Sequence, residues 1–106
     1  MGAALSTTVT TSILTCATDK VLKINSIIIA NVDGTNNADA TVYFYDSSAT
    51  ARYALAFTVT VPADSTLVVL GKDSPIYLEE SDQIRGGASA ISDLEIVISY
   101  EELDDA

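Results

Sequence analysis

The stretch RYALAFTVTV, residues 52–61, alternates without a break: Tyr53, Leu55, Phe57, Val59 and Val61 share one side, and Ala54, Ala56, Thr58 and Thr60 the other. An extended strand sends successive side chains to opposite faces, whereas a helix repeats its apolar stripe about every 3.6 residues. Ten residues of strict alternation therefore predict a strand and argue against a helix. The small residues opposite the large ones fit either close approach of a neighbouring element or a solvent face.

The same period recurs along the chain. VLKINSIIIANV (21–32) places Leu22, Ile24, Ile28, Ala30 and Val32 on one face, and its centre, Ile27 to Ile29, is apolar on both. TVYFYDS (41–47) sets Val42 and Phe44 against Tyr43 and Tyr45, and DLEIVISYEE (93–102) sets Leu94, Ile96, Ile98 and Tyr100 inward. Shorter strand candidates are ALSTTVT (4–10), SILTC (12–16), TLVVL (66–70), PIYLE (75–79) and QIRGGAS (83–89). All favour β-branched and aromatic residues, which pack well on a pleated surface. Between them lie ATDK, DGTNNAD, DSSAT, PADS, GKDSP and EESD, built from residues that accept turn dihedrals or hydrogen-bond to their own backbone. Short strands separated by frequent turns predict an all-β fold: a single antiparallel β-sandwich, jelly-roll-like, of about eight strands. One domain is expected over 1–106, with 1–11 as an extended N-terminal arm and 101–106 as a solvated acidic tail whose Glu101, Glu102, Asp104 and Asp105 have no basic neighbour in sequence.

Charge narrows the partners. Fifteen acids stand against five basic residues, a formal net charge of -10. Such a surface repels phosphate backbones and anionic membranes, so neither nucleic acid nor membrane is expected as a partner. The cations Lys20, Lys23, Arg52, Lys72 and Arg85 are scattered and are expected to pair with some of the surface acids. The opening MGAALSTTVTTS is uncharged and Thr-rich, with no basic segment leading an apolar one, so no secretory signal is expected there. Cys16 is the only cysteine and reads as a small core filler.

Candidate chemistry is thin. The chain has no histidine, which removes the commonest general base and zinc ligand and every Ser-His-Asp arrangement. No catalytic residue and no cofactor is expected. Gly86-Gly87 is an isolated pair that reads as a bulge or a place of tight backbone approach. Two acidic clusters remain. In DGTNNAD, Asp33, Asn36 and Asp39 supply oxygen ligands of the kind calcium takes, without the spacing of an EF-hand loop. Glu79-Glu80-Ser81-Asp82 lies between Ile76 and Leu78 on one side and Ile84 on the other, so it reads as a turn between strands. A catalytic pair would need burial or a partner that separates two carboxyl pKa values, and none is visible in sequence.

The order NSIIIANVDGTNNADATVYFYDSS, then TVTVPADSTLVVLGKDSPIYLEESDQIRGGAS, then DLEIVISYEEL, resembles small virion proteins of tailed phages, above all those of marine and cyanobacterial hosts. The resemblance spans residues 5–103. It rests on Ala30-Asn31-Val32 closing a strand, the Val61-Pro62-Ala63 turn, the Leu78-to-Asp82 turn and the Ser99-Tyr100 strand. Similar proteins carry Gly before that last aspartate, where this chain has Ser81. The resemblance implies a non-enzymatic capsid decoration or cement subunit. It would bind the major capsid protein or other virion proteins on the outer shell as a homotrimer, and reside in the virion after assembly in the host cytoplasm. A neck or tail accessory subunit is the alternative within that class. From a different class comes a carbohydrate-binding β-sandwich for host-surface recognition, which usually stacks sugars on exposed aromatic rings; this chain has no Trp. For the virion subunit, the expected interface residues are Thr7, Thr8 and Val9, through edge pairing of the arm with a neighbour, and Tyr43, Tyr45, Tyr53 and Tyr77 around an oligomer axis.

Overall fold

The computed structural model describes residues 1–71 and 73–104; Lys72 and Asp105, named above, lie outside the described residues. The described chain forms nine strands: β1 (Gly2–Ala4), β2 (Ser12–Thr15), β3 (Lys20–Asn31), β4 (Ala38–Asp46), β5 (Ala51–Val61), β6 (Thr66–Leu70), β7 (Ile76–Leu78), β8 (Gln83–Ala88) and β9 (Leu94–Asp104). They build two antiparallel sheets. The first runs β1-β9-β3-β6, with β7 also on β3, and the second runs β2-β8-β4-β5. β6 faces Ile27 to Ala30 of β3, and β7 faces Leu22 to Ile24 of the same strand. The two thus follow β3 as one broken strand, the break falling before β7, where Pro75 offers no N–H to a ladder. Counted that way, nine elements become eight, and the order of both sheets is the double Greek key of a jelly roll.

The core lies between the sheets. Ile24, Ile27, Ile29, Leu94, Ile96 and Ile98 enter it from the first sheet, and Val42 and Ile84 from the second, all fully buried. Each large aliphatic side chain so buried contributes about 1.5–3 kcal/mol relative to exposure. Cys16 is buried among them as expected, and the apolar surroundings push its thiol pKa up.

The alternation breaks where strands bulge. An extra residue on β3 between Ile24 and Ser26 reverses the phase, so Ile27, Ile29 and Asn31 face the core rather than Ile28, Ala30 and Val32. On β5, three residues from Ala56 to Val59 span what β4 spans in two, and Thr58 takes a left-handed φ of 48°. A second extra residue falls at Leu55, between the pairs Val42↔Ala56 and Tyr43↔Ala54. The five large residues of 52–61 therefore do not share a face: Val61 is buried, while Phe57 is 63% exposed. Each bulge adds a residue to one strand without changing its composition, which is why the pattern alone did not reveal it.

Both termini differ from expectation. The predicted strand over 4–10 is displaced to Gly2–Ala4, which pairs with β9 of the same chain. Leu5 then buries itself almost completely, and residues 6–11 cross to the second sheet, where Ala88 N–H donates to Ser6 O and Gly86 N–H to Thr11 O. The segment 1–11 is therefore not a free arm: burial of Leu5 and these backbone bonds hold it down. At the other end, 101–104 continue β9 along β3, with Glu101 opposite Lys23 and Asp104 opposite Lys20. Lys20 and Asp104 form an ion pair that raises the lysine pKa and lowers the carboxyl pKa. The acids sit in a strand because their basic neighbours come from a strand about eighty residues away in sequence.

Candidate interaction surfaces

The outer face of the second sheet is built around β4, a central strand. Tyr43 and Tyr45, two residues apart, both point outward. Their register partners are Arg85 and Gln83 on β8 and Ala54 and Arg52 on β5. The Arg85 guanidinium lies 3.7 Å from the Tyr45 ring centroid, and the Arg52 guanidinium 4.5 Å from that of Tyr43. Arg85 Nε donates to Gln83 Oε1 at 2.7 Å, which fixes the plane of the guanidinium. Each cation over a ring contributes about 0.5–1 kcal/mol at exposed sites. Tyr43 is 7% exposed beneath this cover.

The other expected interface residues lie elsewhere. Tyr53 pairs with Phe44 in a stacked arrangement, centroids 6.5 Å apart, at the β5 edge. Tyr77 stands on the first sheet opposite Lys23, half exposed. The four tyrosines thus occupy three places, and only Tyr43 and Tyr45 are neighbours. Thr7, Thr8 and Val9 belong to the crossing segment, which rides directly over Gly87. A Cβ there would come 2.8 Å from Val9 Cα and 2.9 Å from Ser6 O. Gly86 is equally tight, 2.9 Å from Thr41 O, so the glycine pair marks close backbone approach and its ladder to β4 is regular. Thr7 and Val9 line a shallow depression of about 260 Å³ with Asp39, Thr41, Thr58 and Ser89.

The acidic clusters are turns. Asp33 accepts from Thr35 N–H and from the side chain and backbone N–H of Asn36, and these donors hold its carboxyl below the usual range, that of Thr35 first. Asp39 instead accepts from Thr60 on β5 at 2.8 Å. The loop thus joins Asp33 to Asn36, and Asp39 is committed elsewhere. Among the described residues, no three acidic or thiol groups converge as a metal set. In EESD, Asp82 is 5% exposed; its two oxygens accept Glu79 N–H at 3.0 Å and Ser47 N–H at 2.9 Å. That carboxylate ties the 79–82 turn to the 46–50 turn. Ser81 sits at φ 70°, in the region where glycine is unstrained.

The outer face of the first sheet carries residues that the sequence reading did not single out. Register places Gly2, Val97, Ile28 and Val68 side by side across four strands. Val97 is 53% exposed and Val68 61%. A depression of about 290 Å³ lies at the β1–β9 end of this row, lined by Gly2, Ala4, Glu95 and Val97. The signal was present: in β9 the outward phase reads Glu95, Val97, Ser99, so a valine occupies a solvent position. Compared with protein-family models, with curated proteins and with solved structures, the chain has no match.

Proposed function

We propose that the protein is a non-enzymatic structural subunit of a phage virion, a decoration or cement protein that adheres to the capsid surface as a homotrimer. The observation that carries this reading is the uncharged row Gly2–Val97–Ile28–Val68 on a molecule of net charge -10. An apolar row across a sheet face, with Val97 and Val68 more than half exposed, fits being covered by another protein, because exposed apolar surface of this kind marks interaction sites. The sandwich around it supports the same reading: a small scaffold in which β1 and β9 pair within the first sheet can present that row without rearrangement. On a shell, many copies sum weak contacts by avidity. A neck or tail accessory subunit and a carbohydrate-binding module remain competing roles. The former would use the same row at low copy number, and the latter would use an exposed ring such as Phe57.

Quantitative mass spectrometry of purified virions tests the proposal. A copy number comparable to that of the major capsid protein supports the shell subunit. A handful of copies supports neck or tail. Absence from particles, with retention on a glycan array, overturns the virion role in favour of carbohydrate binding.

A further inference from the structure

We infer that the arginine-capped face of the second sheet is the contact between copies of this chain, and that it receives glutamates of a second copy. This deepens the reading above and rests on it for the setting, copies standing side by side on one surface. The contact itself is a property of the protein in solution.

Arg52 and Arg85 lie on one sheet face, each spread over a tyrosine ring. Although acids outnumber basic residues fifteen to five, among the described residues neither arginine meets a carboxylate and the one ion pair is Lys20–Asp104. The reason is local. Between Asp39 and Asp46 the outward positions of β4 are Thr41, Tyr43 and Tyr45, and those of the facing β8 are Gln83, Arg85 and Gly87. None is acidic. Stacking leaves the edge of a guanidinium facing outward, and although Arg85 Nε–H is taken by Gln83, its terminal N–H donors and those of Arg52 can meet a carboxylate in the paired geometry a guanidinium favours. Arg and Tyr are also the residues that most often dominate binding energy at interfaces.

The complement is on the same chain. Glu79 and Glu80 follow Leu78, whose partner Leu22 also faces Glu102, and Glu101 is next in β9. All four glutamates are exposed, Glu101 opposite Lys23, and among the described residues none of their carboxylates accepts a hydrogen bond. They occupy the end of the sandwich next to the arginine face, since Asp82 of the same turn leads straight into Gln83. Because the two patches are different surfaces of one subunit, they meet head to tail, the heterologous arrangement that generates rings when the rotation closes. Net repulsion between copies does not prevent this. At physiological ionic strength charges more than about 8 Å apart are largely screened, so the contacting groups decide.

Sedimentation equilibrium of the purified chain tests the contact over a concentration series. The wild type is expected to exceed its 11.1 kDa protomer mass in a concentration-dependent way. R52Q/R85Q should associate about tenfold or more weakly while keeping the circular dichroism of the folded wild type, its melting temperature lowered only by the loss of the two ring contacts. E101Q/E102Q, altered on the other patch, should weaken it too and keeps the test alive if the arginine variant folds poorly. The decisive arm mixes two charge-reversed chains, R52E/R85E and E79K/E80K/E101K/E102K. Each alone should stay monomeric, and the mixture should associate. A wild type monomeric at every soluble concentration overturns the inference, as does association unchanged in both glutamine variants. So does R52Q/R85Q losing particle binding from a monomeric wild type, which would assign the face to another acidic protein. None of these outcomes alters the copy number on virions, so the virion reading stands or falls separately.

Discussion

The outer faces of the two sheets solve opposite problems. The second sheet is covered by its own chain: residues 6–11 cross it at Gly87, and arginines lie over Tyr43 and Tyr45. Among the described residues nothing covers the first sheet in this way, and Val97 and Val68 stand open in a register-aligned row. Hydrophobicity alone does not distinguish them, since both carry large apolar side chains outward. The difference is which groups the fold brings over them. A ring under a cation is already half desolvated and offers charge to a partner, while a bare valine row offers only area.

Adding one methyl group to each face is the harshest test of that contrast. Gly87→Ala should cost about 3 kcal/mol or more, because the atoms it meets are backbone and cannot rotate away. Gly2→Ala should be near neutral, since its nearest neighbour is 3.7 Å off. Urea titrations of both variants check this, and equal costs would mean that the crossing segment is not packed on the second sheet. Next in size is Asp82→Ala. It strips two N–H groups of a buried acceptor and should cost about 2–3 kcal/mol, read by the same titration. Ser81→Gly should stabilise by about 1 kcal/mol, because a left-handed residue is relieved of its Cβ strain. A calorimetric melt checks that gain. Smallest of all, Val68→Thr and Val97→Thr on the first sheet should change stability by less than about 0.5 kcal/mol. A larger loss would show that the row contributes to the fold rather than to adhesion.

Much of the fold was legible in the sequence. Alternation located the second to ninth strands, and the turn residues marked their ends, because both signals are local. The bulges at Asn25 and at Leu55 to Thr58 were not legible, since an inserted residue shifts phase without altering composition. The destination of Leu5 and the pairing of 101–104 with Lys20 and Lys23 depend on long-range contacts, which no window on the sequence contains. The interaction surfaces divide the same way. Tyr43 and Tyr45 were readable as one face of 41–47, and Gly86-Gly87 as a place of close approach. That Arg85 and Arg52 should cover those rings required the register of three strands.

Co-sedimentation of a V68E/V97E variant with purified virions stripped of this subunit tests the central claim most directly. Both positions are exposed, so the variant should keep the circular dichroism and melting temperature of the wild type. It should lose particle binding, because two carboxylates would have to be desolvated against the covering surface. Binding at the wild-type level by a folded V68E/V97E protein would contradict the assignment of the first sheet's outer face as the adhesive one.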